Sequence, residues 1–167
     1  MCSIIIRHVL FKIYLKKWKK FKSNYNDKPR LAWGFCSLIN FKYWANSMKK
    51  DYVSHTFVRD IYSSYDKSDF DFHLPTLEQE LISSEHKIKR YINFFISDIL
   101  LFDYILVNYD IVFLSYDGID ILKSKFNQID QVDLLKNAGC KVVILPYGAD
   151  WIQMSKYNSF SFKHGYL

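Results

Sequence analysis

Two short apolar runs, separated by a segment of helical character, constrain the fold of this chain more than any other feature. The first run covers residues 110–115 and the second covers residues 141–146, and each is closed by a turn that contains Gly. Continuous apolar runs predict strands that are buried on both faces. A helical connection between two such strands predicts a parallel βαβ unit.

The same alternation of apolar runs and helical patterns continues upstream. It predicts strands at 31–36 and 52–58, helices at 40–50 (with Asn40 as N-cap) and 88–102 (a core segment), and a loop at 63–74. The fold class is therefore α/β, a single Rossmann-like domain with a mostly parallel sheet flanked by helices. We expect this domain to cover residues 30–167, preceded by a basic amphipathic helix and a linker over residues 1–29.

Length and composition favour one folded domain in a reducing compartment. The chain has 167 residues, of which half are hydrophobic and 19% are aromatic, so a disordered chain is excluded. It contains no apolar run long enough for an ordinary transmembrane helix and no charged segment of a signal peptide before its first apolar residues. Its three cysteines, Cys2, Cys36 and Cys140, lack metal-ligand spacing and predict free thiols in the cytoplasm.

The positive charge of the chain is concentrated at its N-terminus. Residues 1–30 hold nine basic residues and one acidic residue, a net charge of +8, so the rest of the chain carries −2. This distribution argues against nucleic acid as a partner, because no basic surface is spread over the fold.

Residues 4–22 have the pattern of an amphipathic helix, with aromatic residues on one face and lysines on the other. Two main interpretations are open, beside a contact with nucleic acid or a protein partner. The aromatic face packs on the domain and leaves the lysines in solvent, or the helix lies on an anionic membrane surface. The lysines are Lys12, Lys16, Lys19 and Lys20.

Metal chemistry is not predicted. Asp69-Phe70-Asp71 has the form of an Asp-x-Asp metal motif, but it lies in a polar loop, where two aspartates are usually solvated. The histidines show neither metal spacing nor a nucleophile–base arrangement; they are His8, His55, His73, His86 and His164.

The ends of the apolar runs carry the candidate functional turns, because ligands of open α/β sheets bind outside the carboxyl ends of the strands. One turn is Tyr116-Asp117-Gly118 and the other is Tyr147-Gly148-Ala149-Asp150. A carboxylate there can accept a hydrogen bond from a hydroxyl group, or act as a general base if its pKa is raised. Alternatively, Asp117 and Asp150 are turn residues or helix N-caps.

The second turn also carries a resemblance to a known family. Pro146-Tyr147-Gly148-Ala149-Asp150, followed by Trp151-Ile152-Gln153, resembles the turn in the N-terminal domains of GT-B-type glycosyltransferases of the polysaccharide and lipopolysaccharide group. The strand at 109–113, and the segment at 133–143 that leads into the second strand, also resemble the pattern of this family. The resemblance implies a catalytic role for Asp150, and substrate binding by Gly34, Tyr116, Asp117, Gly118, Tyr147 and Gly148.

The resemblance also implies that these residues lack the domain that binds the sugar donor. GT-B enzymes hold the nucleotide-sugar donor in a second Rossmann-like domain, and 167 residues have room for only one domain. We therefore expect an acceptor-side half without a cofactor of its own. It is either a truncated or split gene product, or a homologue of the acceptor domain that works with a separate donor-domain polypeptide. Its acceptor would be a surface glycan or a lipid-linked glycan at the cytoplasmic face of the inner membrane. The alternative is a non-catalytic Rossmann-like binding module, docked to a membrane or a partner by its basic helix.

Overall fold

A five-stranded parallel sheet forms the centre of the molecule. The computed structural model describes residues 2–21, 28–62, 64–115, 121–122 and 128–145. The strands are β1 (Arg30–Phe35), β2 (Val53–Val58), β3 (Phe72–His73), β4 (Ile111–Ser115) and β5 (Lys141–Leu145). All neighbours pair in parallel, in the order β3-β2-β1-β4-β5. This architecture confirms the predicted Rossmann-like α/β fold.

The two apolar runs form neighbouring strands, as the βαβ prediction requires. Ile111 of β4 lies opposite Lys141 of β5, and the parallel register continues to Ser115 opposite Leu145. The expectation that both strands are buried on both faces is wrong for β5. This strand lies at the edge of the described sheet, and none of its residues is fully buried.

The third strand was not predicted, because it is too short to produce an apolar run. β3 contains only two residues, and it lies in the segment that was expected to be a loop. Its pairing fixes it at the other edge of the sheet, with Phe72 beside Phe57 and His73 beside Val58. The rings of Phe57 and Phe72 stack with their centroids 5.0 Å apart, so the strand is held by side chains as well as by its ladder.

Six helices are present in the described part of the chain, and they cover the sheet unequally. They are α1 (Cys2–Lys20), α2 (Ile39–Met48), α3 (Leu74–Ile82), α4 (Lys87–Phe95), α5 (Ser97–Asn108) and α6 (Gln128–Asn137). One sheet face, which carries Trp33 and Phe113, packs against α2. The opposite face, which carries Ala32 and Val112, packs in one core with residues of α1, α3, α5 and α6. Helices on both faces are what a parallel sheet requires to bury its strands.

The aromatic face of α1 packs onto the domain. Trp18 is 1% exposed, its ring lies 4.8 Å from that of Phe102, and its indole N–H donates to Asp103 at 2.8 Å. Lys17 forms an ion pair with the same carboxylate at 2.7 Å. The lysines on the other face remain exposed: Lys12, Lys16, Lys19 and Lys20. The structure therefore agrees with the first interpretation of this helix, in which the aromatic face packs on the domain.

The predicted core helix over 88–102 is two helices. α4 and α5 meet at Ile96 with a bend of 82°. The prediction is right for Ile99 and Phe102, which are buried in the core, but wrong for Ile88 and Tyr91, because the bend turns them into solvent. In the described residues no single helix is long and apolar enough to cross a membrane; only this bent pair passes that test, by length and composition.

Candidate functional site

The carboxyl edge of β1 and β4 is the point where the connections of the sheet diverge. The connection from β1 to β2 runs through α2 on one face, whereas the connection from β4 to β5 runs through α6 on the other. A crevice at such a point is where open α/β sheets bind ligands. The candidate site therefore lies at the carboxyl ends of β1 and β4, at Phe35 and Ser115.

Gly34, a predicted substrate-binding residue, lies at this edge. It adopts φ +110°, and a Cβ atom built on it would lie 2.5 Å from the carbonyl oxygen of Phe57. Glycine alone adopts this positive φ without strain, and it has no Cβ atom to collide with that oxygen. Its presence is therefore explained by the close approach of β1 and β2, and a contact with substrate stays a prediction.

The chain turns directly from β1 into α2. Ser37 is buried in this turn, and Leu38 occupies the N-cap position without a side-chain cap. The expected N-cap, Asn40, lies instead in the first turn of the helix, because α2 begins one residue earlier than predicted. The N-terminus of α2 therefore follows the carboxyl end of β1 after only three residues.

The ends of β4 and β5 lie side by side at the same edge. Ser115 and Leu145 are partners in the ladder, and Ser115 is buried. Because the strands are parallel, β4 and β5 end at the same edge of the sheet. The predicted site residues of these two turns lie outside the described residues: Tyr116, Asp117, Gly118, Tyr147, Gly148 and Asp150.

One polar contact near this edge was not predicted. Gln131 of α6 is buried, and its side-chain oxygen accepts hydrogen bonds from the backbone N–H groups of Ile121 and Leu122, at 3.2 and 3.1 Å. Its side-chain nitrogen has no hydrogen-bond partner among the residues that the structure describes. These hydrogen bonds hold residues 121–122 against α6. The sequence signal was its position three and four residues before Leu134 and Leu135, on the buried face of the helix.

Two lysines contact the Asp-x-Asp segment: Lys42 of α2 and Lys49, which directly follows this helix. Lys42 forms an ion pair with Asp69, and Lys49 forms one with Asp71 at 2.8 Å. Asp71 also accepts hydrogen bonds from the backbone N–H and the hydroxyl of Thr56, at 2.9 and 3.0 Å. No group of three or more potential metal ligands occurs in the part of the chain that the structure describes.

These contacts change the ionisation of both carboxylates. The hydrogen bond from Lys42 holds the pKa of Asp69 below its usual value. Burial acts to raise the pKa of Asp71, but the hydrogen bonds from Lys49 and Thr56 outweigh it, and the net shift is downward. Both groups are therefore charged partners in α2–loop contacts.

The buried titratable groups near β2 and α5 belong to the core. His55 Nδ1 lies 3.0 Å from the hydroxyl oxygen of Tyr109, and burial lowers the pKa of His55 and raises that of Tyr109. The thiol of Cys140 lies 3.3 Å from the carbonyl oxygen of Tyr109. Burial raises the pKa of Cys140 to about 11, so its reactive thiolate is scarce at neutral pH.

Comparison with known proteins adds no relative. No family model matches the chain, and no curated protein or solved structure matches it. The glycosyltransferase resemblance thus depends on the residues named above.

Proposed function

We propose that this chain is the acceptor-side domain of a GT-B-type glycosyltransferase. The enzyme would transfer a sugar from a nucleotide sugar to a surface-glycan or lipid-linked acceptor on the cytoplasmic side of a membrane. The pairing of Ser115 with Leu145 is the observation that carries the proposal. It brings together the ends of the two strands that precede the candidate turns, beside the point where the sheet connections diverge.

The candidate turns supply the chemistry that an acceptor site needs. The carboxylate of Asp150 would accept the hydrogen bond of the attacking hydroxyl and act as its general base. The backbone N–H groups of Gly148 and Ala149 would meet a phosphate or a developing negative charge. The donor sugar would be bound by a separate domain, so the 167 residues should bind acceptor and not nucleotide sugar.

The experiment tests two expectations separately: that the protein binds an acceptor glycan, and that it does not bind a nucleotide sugar. Calorimetry with UDP- and GDP-sugars should give no binding, and a glycan array should give selective binding that Asp150→Asn weakens. Asp51→Asn, at an exposed position on the turn after α2, is the matched control. Micromolar binding of a nucleotide sugar would contradict the assignment to the acceptor side, and an array without any selective signal would contradict glycan binding.

A second candidate is a non-catalytic binding module docked by α1. The observation that favours it is the exposure of Lys12, Lys16, Lys19 and Lys20 while the aromatic face of the helix is occupied by the core. Docking would then be electrostatic, and it should weaken steeply with salt. Reversing Lys12 and Lys16 to Glu should abolish it, whereas it should leave glycan selectivity unchanged.

A further inference from the structure

Helix α4 turns large apolar side chains into solvent. Ile88, Tyr91 and Phe94 are 78%, 64% and 65% exposed. They follow one another three residues apart, so they line one side of the helix. Single exposed apolar residues are ordinary, but three neighbours on a nine-residue helix form a contiguous patch, and such patches mark interaction surfaces.

The patch includes a cluster of three aromatic rings, in which Phe95 contacts the other two. The rings of Tyr91 and Phe95 meet edge to face with centroids 4.8 Å apart, and those of Phe94 and Phe95 do so at 5.7 Å. The other side of α4 is anchored, because Ile92 packs against the core and the Asn93 amide donates to the carbonyl oxygen of Leu81 at 3.3 Å. The domain therefore holds the aromatic side outward.

Helix α4 also carries three basic side chains. Lys87, Lys89 and Arg90 are all exposed on the same helix, and α4 contains no acidic residue. The nearest acidic side chain in the sequence is Glu85, which precedes the helix. The complementary surface is consequently anionic, and it must also accept apolar and aromatic side chains.

We propose that α4 docks the protein on the surface of an anionic lipid bilayer. The aromatic and aliphatic side chains would enter the interface between headgroups and acyl chains, while Lys87, Lys89 and Arg90 meet lipid phosphates. Nine residues of helix are about 13 Å long, too short to cross a bilayer, so α4 would lie along the surface. The bilayer is favoured over a protein partner because α4 combines exposed rings with exposed basic residues and contains no acidic ones.

This inference is independent of the proposed glycosyltransferase function and differs from docking by α1. The apolar residues of α4 are already in solvent, whereas Trp18 of α1 is buried. Docking by α4 therefore needs no rearrangement of the core.

The first test is co-sedimentation of the full chain with vesicles. Vesicles of phosphatidylcholine with phosphatidylglycerol should bind it, and vesicles of phosphatidylcholine alone should bind it far less. The double variant Tyr91→Ser, Phe94→Ser should lower the partition coefficient roughly tenfold, as should Lys89→Glu with Arg90→Glu. The controls are Tyr43→Ser, at an equally exposed helix position (62%), and Lys50→Glu; both should bind like the wild type.

The second test reports the orientation of the bound protein. Phe94→Trp adds an indole to the proposed contact surface, and Tyr43→Trp adds one to α2. Lipids with brominated acyl chains should quench the fluorescence of the Phe94→Trp protein more than that of the wild type. They should give no such increase for the Tyr43→Trp protein.

Three results would overturn the proposal. The first is binding that does not depend on lipid charge. The second is binding that is lost on reversal of Lys12 and Lys16 but kept in the Tyr91→Ser, Phe94→Ser variant, which would assign docking to α1. The third is a concentration-dependent dimer, without vesicle binding, that the same double variant dissociates; it would assign the patch to a second copy of the chain.

Discussion

Arg30 and Asp110 join the starting ends of the two central strands. The carboxylate of Asp110 accepts three hydrogen bonds from Arg30: from the backbone N–H at 2.8 Å, and from Nε and Nη2 at 3.2 Å each. The backbone completes the contact, because Asp110 N–H donates to the Arg30 carbonyl oxygen and the Asp110 carbonyl oxygen accepts from Lys141 N–H. One 1%-exposed aspartate thus aligns β1, β4 and β5 at the edge opposite the candidate site.

Replacing Asp110 by Asn should destabilise the fold without touching the candidate site. The variant leaves the Arg30 guanidinium, whose side chain is 33% exposed, without its charged partner. Weakening the charge-assisted hydrogen bonds that buried Asp110 accepts should cost about 3 kcal/mol. For a chain of this size that loss lowers the melting temperature by roughly 6–12 °C. Circular dichroism melts check it, with exposed Asp51→Asn as the matched control. Equal melts for the two variants would show that the contact contributes nothing to stability.

Any substitution of Gly34 should destabilise the fold. Two variants separate the two possible causes, which are the positive φ and the collision of an added Cβ atom. Gly34→Ala should destabilise the fold by about 2–3 kcal/mol. If the positive φ were the whole cause, Gly34→Asn would be milder, since Asn enters this region more readily. Because the added Cβ meets the Phe57 carbonyl oxygen at 2.5 Å, we expect Asn to be no better than Ala in urea unfolding. A clear recovery of stability by Asn would mean that β2 can move away.

The parts of the fold that were predictable are those with long, regular patterns. The apolar runs of β4 and β5 and the alternation in β2 gave strands within one residue of those observed. The two-residue β3 has no pattern of its own, since its pairing with Phe57 and Val58 is a tertiary event. The bend at Ile96 is also tertiary: helical spacing continues through it, so Ile88 and Phe102 share a sequence pattern but not an environment.

The candidate site was predictable only as a place in the fold. Strand ends follow from the apolar runs, which is why Gly34 could be located at the carboxyl edge. Asp110 and Gln131 were missed for a physical reason. Both are buried polar residues, and hydrogen bonds to backbone N–H groups offset the cost of their burial. Asp110 accepts from Arg30, and Gln131 accepts from residues 121–122. A pattern of spacing along the chain does not predict such partners.

Asp71 should make stability depend on pH at the acidic end. Its pKa in the folded protein lies below the ordinary value of 3.8, so its charged form stabilises the fold. That contribution is complete above pH 3.8 and is lost as the pH falls through the lower, folded-state pKa. The free energy of unfolding of the wild type should therefore exceed that of Asp71→Asn at pH 6, and the difference should shrink below pH 3.8. Urea titrations of the wild type and the variant at both pH values measure this difference, and a difference that stays constant between them would contradict the role of the Asp71 charge.

Val112 and Val143 provide a matched test of which strand is central. Both are valines in paired parallel strands, but Val112 of β4 is fully buried between β1 and β5, whereas Val143 of the edge strand is half-buried. A carboxylate at Val112 has no water and no partner, so Val112→Asp should cost on the order of 4 kcal/mol or more and leave the chain unfolded at 37 °C. At Val143 the same carboxylate can reach solvent, and the cost should be about 1 kcal/mol. Thermal melts of the two proteins compare them directly. If Val143→Asp proved as damaging as Val112→Asp, β5 would have to be covered on its outer side, and its place at the edge of the sheet would be wrong.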